Sequence, residues 1–534
     1  MKKILLSIIA VILVATMCIG CGSNSTKPLQ GVQGEVKSEN GSYIVEKGDY
    51  VYFVNGKDEL SSDNAFGKPT KSALMRIKTS DLQNPENANV EVVVPKLMLS
   101  GSYQTGVYFY GDYVYYATPS VKKDKKGNVK YDEVEFHKFN LVTGKADSSE
   151  IAISKDNTTE YRYIENNGKV YLLFVEKSMN GETEESVLKV YNASDKKEVY
   201  TSPYYAEMLM PEDNSTNVYF TKLSEGLKED SNASFHDIYR YTVGDDSAKI
   251  VRSGTGSVDL KFNDRTETIK TAPMFSESGF QGVTINLIKN TGKYLIAKVA
   301  TLDESNKTTV YYGFDVSVDA NLVNSETNLG ISQANTTDKA FASTSYIKSL
   351  NEVYYIENGD SGPKGLILFD YTKINDNDKT KGRTVINSEC SDYSMHTVDG
   401  DYMYLSNSAE GIYYRLNYLA DEGAEIKQIN GIAMETATSW YAPKVIQGKY
   451  FIGAYTKNYY KNYLYVVDMT NIDAEPSEGE ENNVFEKTYI LPFADADNIE
   501  KTSIENILKT RVGKITTTDS DSIKALLDEE YSED

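Results

Sequence analysis

The chain has 534 residues, a net charge of −22, three Cys, and 42 Tyr against a single Trp. That length suits one large repeat domain or two to three ordinary ones. The acidic excess argues against a nucleic-acid partner, which a basic patch would have to meet, and against adhesion to an anionic lipid surface by charge alone.

The N-terminus reads as a processing signal. Lys2 and Lys3 precede an apolar stretch from Ile4 to Met17, and Cys18-Ile19-Gly20-Cys21 follows. A charged start, a short apolar core and small residues at the cut mark a secretory leader rather than a fold element. The stretch is short of the roughly 20 apolar residues that a stable span needs. It resembles a bacterial lipoprotein signal peptide, whose motif ends in a small residue and an obligatory Cys, as Gly20-Cys21 does. Cys18 stands where that motif usually has Leu. The resemblance implies cleavage that removes residues 1–20 and a diacylglycerol on the Cys21 sulfur. The chain would then be exported and held on the outer face of the cytoplasmic membrane, two acyl chains sufficing where one is marginal. An ordinary secretory leader, or a single-span anchor, is the alternative.

Residues 21–40 read as the lipidated Cys and a flexible tether rich in Gly, Ser, Lys and Gln. Such a segment has too little apolar surface for burial to offset the entropy of ordering. With Cys18 removed and Cys21 lipidated, Cys390 is alone in the exported domain, so no intramolecular disulfide is possible. Stability must come from core burial, and a Gram-positive surface suits such a chain somewhat better than a periplasm.

From residue 41 a phrase recurs. It reads Gly48-Asp49-Tyr50-Val51-Tyr52, Gly111-Asp112-Tyr113-Val114-Tyr115 and Gly400-Asp401-Tyr402-Met403-Tyr404. Weaker copies begin at Gly168, Asn217, Gly292, Asn351 and Gly448. Alternating Tyr and Val favour half-buried strands, and the Gly-Asp start is turn chemistry. A short strand precedes many copies, as at Ser42–Val45, Tyr161–Ile164, Ser345–Ile347 and Trp440-Tyr441. A third follows, as at Leu74–Ile77, Phe136–Phe139, Ile238–Tyr241 and Tyr413–Leu416, and a weaker fourth comes next, as at Val92–Val94. Four antiparallel strands in each repeated unit are the composition of a β-propeller. The copies lie about 48 to 77 residues apart, wider than the roughly 40–45 of a compact blade. The excess falls in polar loops such as Lys122–Lys130 and Ser253–Gln281.

The expected fold is therefore all-β, a propeller of four-stranded blades over residues 41–493. Eight units are read, and the imperfect ones around Asn217 and Tyr294 leave seven as the alternative. The pattern resembles the Tyr-rich propeller lipoproteins of Gram-positive bacteria, a resemblance that implies architecture and carries almost no chemistry. Residues 494–534 change character: Ile499, Ile504, Ile507 and Leu508, then Ile523, Leu526 and Leu527, predict one or two short helices in an acidic tail.

Signals of catalysis are sparse. His137, His236 and His396 have no second His or Cys at metal-ligand spacing, so no metal site is expected. No G-x-S-x-G elbow occurs, and Cys390 has acidic neighbours that do not favour a thiolate. The acidic doublets at Asp376, Asp495 and Asp519 do not continue into a calcium loop. No catalytic residue and no cofactor is assigned. Recognition falls to aromatics: Tyr459, Tyr460 and Tyr463, between a phrase and its third strand, are the candidate ligand-binding residues. A Tyr-rich hairpin packing on itself is the plainer reading of that run. The phrase-to-third-strand loops should emerge on one face of the ring. The expected role is a lipid-anchored, non-catalytic binding or scaffold protein for a protein, peptide or glycan. A surface hydrolase or lyase with its site in the central funnel is the alternative.

Overall fold

The computed structural model describes residues 28–56, 72–83, 90–94, 96–98, 106–120, 125–126, 133–157, 159–180, 183–211, 215–223, 236–252, 393–407, 412–420, 426–429, 434–439, 443–456, 464–469 and 472–473, together with strands between 257 and 386 and at 488–490 and 494–495. Cys21, Tyr459, Tyr460, Tyr463 and the helices expected after residue 495 lie outside the described residues. The described chain is all-β, and its one helical piece is a 3-10 turn at Thr79–Gln83.

Each phrase forms the second strand of an antiparallel meander. The first sheet orders Ile44–Lys47, Tyr50–Val54, Leu74–Lys78 and Val90–Val94. The second orders Tyr108–Tyr110, Tyr113–Pro119 and Val134–Asn140, with Lys145–Ala146 and Ala152–Ser154 both on the third strand. The third holds Tyr161–Asn166, Lys169–Asn180, Thr183–Asn192 and Lys197–Thr201, and the fourth Glu207–Leu209, Asn217–Leu223, His236–Thr242 and Lys249–Arg252. Further sheets begin at Val283–Asn290, Tyr346–Leu350, Tyr393–Asp399 and, for the last, Lys444–Ile446. Six of these sheets have four strands, one has five and one six. The first strands of the fourth to the eighth sheets adjoin one another in succession.

The phrase strands, expected to be half-buried, are buried on both faces. Val51 and Phe53 are fully buried beside Tyr52, while Tyr50 is half-buried. Four of the phrases also face a cation on their third strand, in the pairs Tyr52 with Arg76, Tyr115 with Lys138, Tyr219 with Arg240 and Tyr404 with Arg415. The guanidinium of Arg76 lies 4.0 Å from the Tyr50 ring centre, that of Arg415 4.0 Å from Tyr402, and the Lys138 ammonium 5.3 Å from Tyr113. Such contacts contribute about 0.5–2 kcal/mol, most where water is excluded. Arg76 is fully buried and is neutralised by Glu91 at 2.6 Å.

Tyrosine hydroxyls join one sheet to the next. Tyr108 Oη donates to the Tyr161 carbonyl at 3.3 Å and Tyr110 Oη to the Tyr163 carbonyl at 2.8 Å. In return Tyr163 Oη donates to the Tyr116 carbonyl at 3.3 Å, and Tyr161 Oη donates to the Gly106 carbonyl at 2.8 Å while accepting from its N–H at 3.0 Å. Burial pushes the Tyr161 and Tyr163 phenols well above their usual range, so they stay protonated donors.

The last sheet packs on the first. Ile446, Phe451, Leu464 and Val466 share one apolar cluster with Ile44, Val45 and Phe53. Tyr43 Oη donates to the Phe451 carbonyl at 3.3 Å, Gln447 Nε2 to Glu46 at 3.1 Å, and Lys444 pairs with Glu39. The succession of sheets thus returns to its start.

Three expectations need correction. The tether does not extend to residue 40: residues 29–40 form an ordered strap. Val32 is buried, Leu29 and Val36 pack on the core, and Val36 bridges Lys47. Lys47 Nζ donates to the carbonyls of Val32 and Gly34, and Arg76 donates to that of Gln30 at 2.7 Å. Three apolar side chains suffice because neighbouring sheets offer them a ready surface and the backbone polar groups find partners. Second, Ser253–Gln281 is not a plain loop but holds two hairpins, Ser257–Lys261 with Thr266–Lys270 and Met274–Ser276 with Gly279–Gln281. Third, at the far end Ala494–Asp495 pairs with Thr488–Ile490, past the boundary drawn at 493. The strand expected at Trp440-Tyr441 lies outside the described residues, between strands at Met434–Ser439 and Lys444–Ile446.

Tyr161→Phe orphans the buried Gly106 N–H and carbonyl together, a loss of about 1–3 kcal/mol. Tyr191→Phe, whose hydroxyl reaches Glu198 at the surface, should stay within about 0.5 kcal/mol of wild type. Urea unfolding of the two variants checks the contrast.

Candidate functional site: a polar groove at the turn edge

In a four-stranded meander the first-to-second and third-to-fourth turns share one edge of the sheet. The second-to-third loops and the sheet-to-sheet connections share the other. At the turn edge, Gly48 has a φ of 60° and packs against the strap, where a Cβ would collide with the Gln33 carbonyl. That close approach accounts for glycine at the first phrase.

Where the strap meets the second, third and fourth sheets, a groove of about 670 Å³ opens. Val36, Ser38 and Asn40 of the strap form one wall. The others come from the first strands Tyr108–Tyr110 and Tyr161–Asn166, the turn Asn167-Gly168, and Ser215-Thr216. The size falls in the roughly 300–1,000 Å³ range of small-ligand sites. Its wall is built rather than loose: Asn40 holds the Phe109 backbone through both amide atoms, at 2.8 and 3.2 Å. Ser38 Oγ accepts from the Glu46 N–H at 2.8 Å, and Tyr110 is fixed by its bond to the third sheet.

The groove presents one cation, Arg162, and one exposed anion, Glu165, among hydrogen-bonding side chains such as Asn167 and Thr216. This balance suits a neutral or zwitterionic polar ligand. Glycoside cleavage usually employs two carboxylates about 5–10 Å apart; among the described residues this lining has a single carboxylate and neither His nor Cys.

Elsewhere a Ser, a His and a Glu converge at the loop edge of the second sheet. Ser120 Oγ donates to Glu135 Oε1 at 2.9 Å, and His137 Nε2 meets Glu135 Oε2 at 3.0 Å. Desolvation pulls the Lys96 ammonium below its ordinary range, partly offset by the charge of Glu135. The order is wrong for nucleophilic chemistry, because the hydroxyl is bonded to the carboxylate and not to an imidazole base. Glu135 is instead a buried acid with both oxygens engaged, and His137 stacks on Tyr116 at 5.8 Å.

His396 lies in the seventh sheet, with Nε2 2.6 Å from Ser406 Oγ, and burial lowers its pKa to about 4. The sequence brought none of these groups together. The strap residues were read as tether, and Arg162 and Glu165 lie in a first strand that lacks the phrase. The candidate aromatics Tyr459, Tyr460 and Tyr463 are outside the described residues; the strands flanking them, Lys449–Thr456 and Leu464–Asp468, meet that connection at the loop edge, opposite the groove.

No family model matches the chain, and no curated protein matches it. Similar solved structures include the Pyrococcus horikoshii acylaminoacyl peptidase, at a TM-score of 0.33 and 10% identity over 79% of this chain and 58% of that one. The polysaccharide lyase Uly1 is similar at a TM-score of 0.29 and 10% identity, over 76% of this chain and 93% of that one. Apo AztD from Citrobacter koseri is similar at 0.32 and 11%, over 79% of this chain and 92% of that one. The chain thus spans little more than half of the peptidase's length. Likeness at this level assigns no site.

For His396 the folded pKa of about 4 lies below the ordinary 6.5. Between those values the unfolded chain binds a proton that the folded chain does not, so stability falls as pH falls from 6.5 toward 4. The His396→Gln variant should lose this component, making its melting temperature less pH-dependent than wild type by the equivalent of about 2–3 kcal/mol. Thermal melts at pH 4.5 and 7.5 check the difference.

Proposed function

We propose that this chain is an eight-bladed β-propeller, lipid-anchored through Cys21 on the outer face of the cytoplasmic membrane, that binds a polar partner without catalysis. The groove carries this reading: it is walled by fixed elements, and among the described residues its lining has balanced charge and no paired carboxylates. The partner chemistry that fits is a glycan, or a peptide or protein segment rich in hydroxyl and amide groups. Support for the ring comes from the adjoining first strands and from the last sheet packing on the first. Support for the anchor comes from Gly20-Cys21 after the apolar stretch, and the Tyr-rich propeller lipoproteins of Gram-positive bacteria are the class it resembles.

A glycan array and peptide capture on the Arg162→Ala, Glu165→Ala double variant test the groove. Loss of two charge-assisted bonds of about 1.5–3 kcal/mol each predicts binding at least about a hundredfold weaker at an unchanged melting temperature. The same capture on the Tyr459→Ala, Tyr460→Ala double variant separates the two edges. A loss there, with the groove variant unaffected, moves recognition to the loop edge; turnover of a captured glycan sinks the non-catalytic reading. Cys21→Ala should release the protein from the membrane fraction or leave an unprocessed precursor, and a variant still cleaved and retained like wild type refutes the anchor.

A further inference from the structure

We propose that the turn edge of the sheets, groove included, lies against the bilayer, and that the loop edge points outward. The proposal rests on the lipid anchor at Cys21 and adds a direction to it. The strap fixes where the chain leaves the folded body. The Leu29 N–H donates to the carbonyl of Leu141, in the third-to-fourth turn of the second sheet, at 3.3 Å. Gln33 reaches Asp112 in the neighbouring first-to-second turn at 3.5 Å, and the Gly48 N–H donates to the Glu35 carbonyl at 3.0 Å. Residues 29–35 therefore run along the turn edge before the chain enters the first strand.

Length then decides the orientation. Seven peptide steps separate Cys21 from Pro28, and a fully extended chain of that size spans at most about 25 Å. Along the second strand of the third sheet, Met179 lies ten residues from Lys169 at the turn edge, about 33 Å at the rise of a strand. A body standing flat on the tip of the hairpin that this strand forms would hold Pro28, beside Leu29 at the opposite edge, farther from the lipid than the chain can reach. A body standing on its turn edge needs no stretching.

The charges of this edge agree with contact held by the lipid rather than by adsorption. Among the described residues of this edge, exposed Asp49, Asp112, Glu165, Asp195, Asp245, Asp246 and Asp401 outnumber exposed Lys145, Lys169 and Lys197, so the edge offers no cationic field toward anionic headgroups. The occupant of this surface is accordingly the phospholipid headgroup layer. A ligand of the groove must reach it along the membrane plane, which fits a membrane-tethered glycan better than a freely diffusing polymer.

Single cysteines test the direction. In a Cys390→Ser background, Thr143→Cys marks the turn edge beside the strap, Asp401→Cys the turn edge of the seventh sheet, and Met179→Cys the loop edge; Thr143 and Asp401 are exposed and Met179 is 65% exposed. Each lipidated variant carries a fluorophore and is reconstituted into phosphatidylcholine and phosphatidylglycerol vesicles bearing a headgroup quencher. The expected result is that the Thr143 and Asp401 probes both lose most of their fluorescence and the Met179 probe keeps it. Inserting about 20 Gly and Ser residues after Gly22, a flexible coil, should restore the first two. Quenching of Thr143 alone indicates an edge-on body, and quenching of Met179 indicates an inverted one; either overturns the proposal. Vesicle flotation is scored separately. Protein that does not float refutes the anchor, whereas protein that floats with the wrong quenching pattern refutes the orientation alone. Melting temperatures equal to the background protein's verify that each variant is folded.

Discussion

The architecture depends on tyrosine hydroxyls that cross from one sheet to the next. A sheet packed face to face on its neighbour buries backbone carbonyls at its ends that have no ladder partner, and a buried unpaired carbonyl is costly. Phenylalanine would fill the same volume and leave those carbonyls orphaned. Tyr108, Tyr110, Tyr161 and Tyr163 fill the volume and also supply the donor. The arrangement is reciprocal, each of the two sheets donating to the other, so the pair is fixed in register as well as in spacing. Tyr43 makes the equivalent bond from the first sheet to the last.

A second constraint follows from the first. Rings that line an intersheet seam leave their outer partners, Tyr50, Tyr113 and Tyr402, half exposed near the turn. A cation from the third strand covers each of them, and an acid answers each cation: Glu91 for Arg76, Asp147 for Lys138 and Asp473 for Arg415. The strap completes this layer at the first sheet, since the carbonyl of Gln30 takes a further bond from Arg76. The same strap walls the groove with Val36, Ser38 and Asn40. Packing and binding surface are thus joined through one short segment, and a change that loosens Arg76 should be felt in the groove.

Much of the fold was legible because a phrase with period-two alternation cannot sit still as anything but a strand, and its Gly-Asp start fixes the turn before it. The third strands carried a further sign: Arg76, Lys138, Arg240 and Arg415 occupy the same place relative to their phrases. That period links local sequence to a nonlocal contact, the cation over the ring. The strap was misread because sparse Leu29, Val32 and Val36 show no period, and their burial depends on surfaces supplied by the first and second sheets. The groove was illegible for a related reason. Arg162, Asn40 and Thr216 are far apart in sequence and meet only when three sheets are set side by side. The meeting of Ser120, His137 and Glu135 is a warning of the opposite kind, since three residues of catalytic type come together in an order that puts the carboxylate, and not the imidazole, on the Ser hydroxyl.

A groove placed at the turn edge has a physical advantage over one built from the loops above it. Its walls are strands, tight turns and a strap held by the bonds of Asn40 and Ser38, so a ligand would meet a preformed site and little ordering entropy would oppose binding. The second-to-third connections, by contrast, differ in length from sheet to sheet. The two edges therefore differ in kind: a polar groove walled by strands, turns and the strap on one, and connections of unequal length on the other. On the proposed anchoring through Cys21, the groove would face the surface that holds the chain, and the loop edge would be left to partners arriving from outside. A scaffold joining a membrane-bound polar group to an external partner would need this division between its two edges.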